Sequence, residues 1–188
     1  TCALPILQPV IISPERKRQL NKNLMMFFAG FTRFSSDVQK ANATGKQDKT
    51  AQLKEMLALV NDAERVLTEK NADLDDFGQM LDHTWRLKRQ TGSAVSTNSI
   101  DVLYEKGMAA GALGGKLLGA GGGGYLLMYC PYNVRHKVAA RMEAMGGQLA
   151  DWNFELRGAQ SWVADEDRWQ YDKVKVQMPN GEYCFNLK

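Results

Sequence analysis

Cysteine, histidine and long apolar runs are all scarce in this chain of 188 residues. The three cysteines, Cys2, Cys130 and Cys184, have neither paired nor metal-ligand spacing, and there are only two histidines. We therefore expect neither a disulfide framework nor a metal site, and this cysteine usage fits a reducing cytoplasm. No stretch approaches the ~20 apolar residues of a membrane span, so no membrane partner is expected.

The chain also lacks a strong charge of one sign. Its net charge is +3, and basic and acidic residues alternate along the sequence instead of forming one-sign runs. This pattern predicts no nucleic-acid partner, because nucleic-acid-binding domains concentrate Lys and Arg on one surface. The hydrophobic fraction of 44% is that of an ordinary folded domain, and the length is sufficient to bury a core.

An initiating methionine is absent as well. Residues 1–6, TCALPI, can be reverse-translated as the end of a common sequencing adapter, and we interpret them as non-native. The native N-terminus is then expected upstream, whether the gene was read from a broken end or the chain is a cloned fragment. The predicted organisation is one domain over residues 7–164 and a polar C-terminal extension over residues 165–188.

Local patterns predict the secondary structure. Capping residues and apolar periodicity indicate helices at about 14–21, from Ser36, at about 47–70, from Asp73, at about 98–110 and at 131–145. Short apolar runs indicate strands at 24–28, 117–118 and 125–129, with one or two more within 151–163 and a hairpin turn at 179–181. Strands grouped around helices predict an α+β fold, an antiparallel sheet with helices packed on one face.

Glycine, in contrast, is concentrated at one place. Residues 119–124 read GAGGGG, lie between two apolar runs and follow Lys116. Glycine permits positive φ, which lets successive backbone N–H groups converge on an anion, and it lets a phosphate approach the backbone closely. A flexible hairpin turn is the alternative interpretation. The segment is not a Walker loop, because GxxxxGK[ST] is absent and the lysine precedes the glycines.

Three segments resemble a known family. Residues 111–129, GALGGKLLGAGGGGYLLMY, resemble the third conserved motif of the GHMP kinases, which phosphorylate galactose, homoserine, mevalonate and related compounds. GFTRFSSDV at 30–38 and DHTWRLKR at 82–89 resemble segments of the D-glycero-D-manno-heptose 7-phosphate kinases of that family, in the same order and spacing. The resemblance runs from about residue 12 to 163. It implies a ferredoxin-like C-terminal domain of a cytoplasmic, ATP-dependent sugar kinase in carbohydrate metabolism.

The resemblance also implies roles for particular residues. It places the third-motif loop beside the nucleotide phosphates, which makes nucleotide-binding residues of Gly119, Ala120, Gly121, Gly122 and Gly123. It places four other residues along the cleft for the phosphorylated sugar, namely Thr32, Arg33, Trp85 and Lys88. Arg33 can grip a phosphate in a bidentate way, while Lys88 offers a point charge. A core position for Trp85, and solvated positions for Arg33 and Lys88, remain open alternatives.

Two elements of the family's catalytic machinery are missing from these residues. The PxxxGLGSS phosphate loop and the acidic residue near the acceptor hydroxyl belong to the family's N-terminal domain, so we expect no catalytic residue in this chain. ATP and Mg²⁺ would then be bound mainly by that missing domain, and this chain alone would be inactive. Residues 45–48, GKQD, resemble the heptose kinases' acidic segment but stand at the wrong place in the order, so Asp48 is expected at the surface.

Two other functions remain open. Within the same family, the chain would belong to a kinase of the fucose or galactose type. If the protein is not an enzyme, the chain would be a non-catalytic ligand-binding domain of the same fold. An upstream reading frame that encodes PxxxGLGSS would support a kinase, whereas a native start codon at this point would support the binding domain.

Overall fold

The computed structural model describes residues 9–30, 48–92, 94–155, 157, 161, 175–177 and 183–185. Its helices are α1 (Pro14–Asn23), α2 (Thr50–Thr68), α3 (Leu74–Gln90), α4 (Asn98–Ala109) and α5 (Arg135–Glu143). Its strands are β1 (Leu24–Phe28), β2 (Gly114–Leu117), β3 (Tyr125–Tyr129), β4 (Gln148–Ala150), β5 (Lys175–Gln177) and β6 (Tyr183–Phe185). The helix predicted from Ser36 lies outside the described residues.

The chain divides into two compact units, Thr1–Phe154 and Glu155–Lys188. In the second unit β5 and β6 pair antiparallel, with Val176 opposite Cys184. This antiparallel pairing confirms that the segment forms a hairpin, whereas the turn predicted at 179–181 lies outside the described residues. The domain boundary predicted at residue 164 stays a prediction.

Helix starts follow local capping chemistry. Ser13 caps α1 by accepting a hydrogen bond from the Arg16 N–H at 3.2 Å, and Pro14 occupies the first turn. Asp73 caps α3 through the Asp75 N–H at 3.0 Å. The cap of α4 is Thr97, one residue before the predicted start of this helix at about residue 98. These caps satisfy N–H groups that have no partner within the helix, which is why short-range sequence patterns locate them well.

The first unit contains a four-stranded antiparallel sheet in the order β2-β3-β1-β4. Leu24 pairs with Tyr129 and Phe28 with Tyr125, so β1 and β3 match along their whole length. The fourth strand was predicted within 151–163 and is instead at 148–150. Residues 151–155 are not in a strand, so this part of the prediction was wrong: the chain turns at Gly146, with φ of +88°, and pairing already begins at Gln148.

The main core lies on one face of this sheet. Successive strand residues face opposite sides, so Met25 and Phe27 of β1 share a face, where they meet Met128 of β3 and Ile100 and Val138 of α4 and α5. A second, smaller cluster on the opposite face contains Leu20, Leu24, Leu74 and Tyr129. The α+β class with an antiparallel sheet is confirmed, and the second cluster is a feature that the sequence did not predict.

The backbones of α3 and β2 are in direct contact. A Cβ atom added at Gly114 of β2 would overlap the Gly78 carbonyl oxygen of α3 and lie 2.7 Å from the Asp82 nitrogen. A Cβ atom at Gly78 would lie 2.5 Å from the Tyr129 ring. Both glycines are therefore required by packing. The contact fixes α3 against the sheet and thereby positions the later turns of α3, which carry Trp85 and Lys88.

Candidate functional site at the glycine loop

The glycine loop, residues 118–124, connects β2 to β3. Four of its residues have positive φ: Gly119 at +74°, Gly121 at +111°, Gly122 at +74° and Gly124 at +98°. Side chains other than hydrogen strongly disfavour this region, so glycine is the residue that fits at each of these positions. The use of positive φ that the sequence predicted for this loop is confirmed.

Hydrogen bonds hold the loop at three points. The Leu118 N–H donates to the Tyr125 carbonyl at 2.8 Å, which closes the base of the hairpin. The Gly122 N–H donates to the Val95 carbonyl at 2.9 Å, and the Ala29 N–H donates to the Gly124 carbonyl at 2.9 Å. The loop is thus tied to the α3–α4 connection and to the end of β1, an arrangement that favours a defined conformation over a flexible turn.

The space around the loop differs from one glycine to the next. A Cβ atom at Gly121 would lie 2.7 Å from the Val95 carbonyl oxygen and 3.0 Å from its Cα, whereas Cβ atoms at Gly119 and Gly124 would meet nothing within 4 Å. Gly121 is required by close packing as well as by its φ. Gly119 is exposed, so this part of the loop is open to a ligand.

Lys88 contacts the loop directly. Its Nζ donates a hydrogen bond to the Gly119 carbonyl at 2.9 Å. The pKa of Lys88 is lowered, first because the ammonium is partly buried and then because the charge of Lys116 repels it. Two ammonium groups therefore lie close to the loop. The sequence shows Lys116 ahead of the glycines but does not by itself indicate a role for it.

The two arginines beside Lys88 are engaged elsewhere. Arg86 pairs with Asp82 at 2.8 Å, and Arg89 pairs with Asp101 at 3.1 Å. Among the cations of the segment DHTWRLKR, Lys88 is thus the one that contacts the glycine loop. Lys88 is partly buried and makes this contact, while its role in binding stays a prediction.

Trp85 lies in the main core with 0% of its surface exposed. Its ring centroid is 6.3 Å from that of Tyr104, and its Nε1–H has no hydrogen-bond acceptor among the described residues. This burial is the property of a core residue, the second of the two interpretations that the sequence allowed. Contact of Trp85 with a sugar stays a prediction.

The remaining predicted positions are separate from this cluster. Thr32 and Arg33 lie outside the described residues. Asp48 is exposed, as predicted, and its carboxylate accepts a hydrogen bond from the Thr50 N–H at 2.9 Å. Hydrogen bonding to the Thr50 side chain and then to its N–H lowers the pKa of Asp48. In the described part of the chain no group of three or more His, Cys, Asp or Glu residues is arranged to hold a metal ion. Nor is any helix there long and apolar enough to cross a membrane.

Known proteins resemble this chain in sequence and in fold. Residues 62–148 match the family model for the C-terminal domain of the GHMP kinases. A D-glycero-alpha-D-manno-heptose 7-phosphate kinase of Campylobacter jejuni is 26% identical over 159 residues, which are 81% of this chain and 47% of that protein. A bifunctional fucokinase/GDP-fucose pyrophosphorylase of Arabidopsis thaliana is 27% identical over 124 residues, 64% of this chain and 12% of that protein.

A solved structure agrees with these matches. The L. major mevalonate kinase in complex with R-mevalonate superposes with a TM-score of 0.55 at 25% identity, over 64% of this chain and 37% of that chain. This chain therefore spans about half the length, or less, of the proteins that it matches. The resemblance derived from the three sequence motifs is confirmed.

Proposed function

Because the chain is a homologue of the GHMP kinases, with their C-terminal domain matched over residues 62–148, we propose that it is the C-terminal half of an ATP-dependent sugar kinase. The proposed acceptor is a heptose 7-phosphate, in keeping with the name of the Campylobacter jejuni relative. The γ-phosphoryl group of ATP passes to a sugar hydroxyl, and an N-terminal domain carries the phosphate loop. This chain spans only 47% of the Campylobacter jejuni relative, and the remaining length supports the presence of a second domain. The proposed compartment is the cytoplasm.

The observation that carries the proposal is the tethered glycine loop beside two lysines. An anion at the loop would meet the positive charges of Lys88 and Lys116, and backbone N–H groups at exposed glycines would donate to its oxygens. In the described residues no protein acceptor is found for the N–H groups of Gly119, Ala120 and Gly123. These donors and charges suit the phosphate groups of a nucleotide. They do not suit a cation.

On this proposal, the chain positions the phosphate groups and stabilises their charge during transfer. ATP supplies the transferable phosphoryl group and Mg²⁺ neutralises its charge, both bound mainly by the N-terminal domain on this proposal. The glycine loop and its lysines hold and orient phosphate oxygens with donors that are fixed before the reaction. Thr32 and Arg33 are proposed to line the cleft for the phosphorylated sugar. Trp85, which is fully buried, would support the wall of that cleft from the core, and Lys88 would lie where the cleft meets the glycine loop.

Replacing Arg33 with alanine is expected to weaken sugar-phosphate binding. The guanidinium would make charge-assisted hydrogen bonds to the phosphate, whose loss costs about 2–3 kcal/mol. Steady-state kinetics of the two-domain enzyme should show a raised apparent KM for the sugar with little change in the KM for ATP. Arg86→Ala is the matched control, because Arg86 is exposed and paired with Asp82. If both variants had the same KM for the sugar, Arg33 would not be a sugar-phosphate-binding residue.

A phosphoryl-transfer assay tests the proposed function. The full-length protein, with its N-terminal domain, is incubated with ATP, Mg²⁺ and a heptose 7-phosphate, fucose or galactose, and the products are identified by ³¹P NMR. Transfer to the heptose 7-phosphate is expected, and none by the 188-residue chain alone. Preference for fucose would favour the second candidate, which the Arabidopsis thaliana match supports. No transfer to any sugar would indicate a non-catalytic binding domain.

A further inference from the structure

Lys88 makes a contact that a simple substrate-binding lysine would not make. Its ammonium group has three N–H donors, and one of them is used by the Gly119 carbonyl at 2.9 Å. Gly119 stands at the exposed entrance of the glycine loop, where no atom lies within 4 Å of the position that a Cβ would take. The hydrogen bond therefore ties the open end of the loop to α3, while two donors of the same ammonium remain.

The charges around Lys88 are unbalanced. Arg86 and Arg89 are each paired with an aspartate of the first unit. Neither Lys88 nor Lys116 has an ion-pair partner in the part of the chain that the structure describes. Partial burial and, after it, the charge of Lys116 lower the pKa of Lys88, so the two cations repel each other beside the loop. An anion between them would replace this repulsion with two attractions.

We propose that Lys88 bridges the glycine loop and its ligand: it holds the Gly119 carbonyl with one donor and, together with Lys116, binds a phosphate group with the others. This inference rests on the proposed function, which supplies a nucleotide phosphate as the ligand. It extends that function by naming Lys116 as a binding residue and Lys88 as the residue that positions the loop. The two lysines differ in one respect, since Lys88 is the one that bonds to a loop carbonyl in the described residues.

That difference gives each lysine its own expected signature. In Lys88→Met the aliphatic stem is kept but the charge and the loop bond are lost. Amide hydrogen exchange in the peptide that spans residues 118–124 should rise about tenfold, because a charge-assisted hydrogen bond that closes the loop is gone. The dissociation constant for inorganic pyrophosphate should rise at least about tenfold. In Lys116→Met the affinity should fall similarly, while loop exchange stays as in the wild type.

The experiment uses the 188-residue chain, with titration calorimetry for pyrophosphate and exchange mass spectrometry for the loop. Arg86→Met is the matched control, because it removes a cation from the same helix without touching the loop, and it should change neither loop exchange nor, beyond about twofold, affinity. Lys88→Arg should restore much of the affinity, because it keeps the charge and donors.

Results that differ from these expectations would overturn the inference. Unchanged loop exchange in Lys88→Met removes the positioning role, and unchanged pyrophosphate affinity removes the binding role. Absence of pyrophosphate binding by the wild-type chain overturns the proposed phosphate site on this chain. The proposed kinase function fails separately, in the phosphoryl-transfer assay, and transfer there would leave it standing even if Lys88 proved inert.

Discussion

Replacing Gly121 with alanine in the two-domain enzyme is expected to lower the rate of phosphoryl transfer by about a hundredfold or more. The new methyl group would lie 2.7 Å from the Val95 carbonyl oxygen, and the residue would keep a φ of +111°, which alanine disfavours. The loop must then move away from Val95 and lose the Gly122 hydrogen bond. A displacement of about 1 Å at a positioning element is sufficient for a loss of this size.

Gly124→Ala is the control for this prediction. Its φ of +98° imposes a similar backbone strain, but nothing lies within 4 Å of the added carbon. Steady-state turnover should fall only a few-fold in this variant, and thermal unfolding should show that both variants are folded. If Gly121→Ala kept wild-type turnover and the wild-type KM for ATP, the loop would be a hairpin turn without a role in transfer. The proposed nucleotide role of residues 119–123 would then fail.

Replacing Gly114 with alanine is expected to reduce the free energy of unfolding by about 3 kcal/mol or more, at the upper end of what overpacking costs. The added carbon would overlap the carbonyl oxygen of Gly78, and this neighbour belongs to a helix backbone that cannot rotate away. Helix α3 must therefore separate from β2. Because α3 also carries Lys88, the affinity for pyrophosphate should fall together with the stability. Urea unfolding followed by circular dichroism measures the first effect.

Gly107→Ala is the matched control for Gly114→Ala, because it is the same substitution at another buried glycine. The carbon added at Gly107 would meet the Met142 sulfur at 2.9 Å and the Met128 methyl at 3.0 Å, which are flexible side-chain ends. Alanine also improves helix propensity in α4 by about 1 kcal/mol, so the net change should stay within about 1 kcal/mol. Equal destabilisation by the two substitutions would show that backbone contact between α3 and β2 is not the limiting feature.

The sequence predicts those features of the fold best that depend on a few neighbouring residues. The cap at Ser13, the apolar run Leu24–Phe28 and the glycine loop each follow from a few neighbouring residues, and each is where it was predicted. The apolar residues of α2 show the limit of such signals. The helix was predicted, yet Leu53 and Leu57 are 56% and 70% exposed while Val66 is fully buried. Periodicity tells which residues share a face of a helix, and it does not tell what covers that face.

The sequence by itself determined most of the helices and strands, the α+β class and the resemblance to the GHMP kinases, because caps, periodicity and motif spacing are properties of neighbouring residues. Only the tertiary structure decided which cation serves the glycine loop. Arg86, Lys88 and Arg89 lie within four positions of one helix, and although the resemblance singled out Lys88 for the sugar cleft, nothing in the sequence connects any of the three with the glycine loop. The close contact between Gly78 and Gly114 sets the position of α3, and that position brings the Lys88 ammonium to the Gly119 carbonyl while aspartates engage the two arginines.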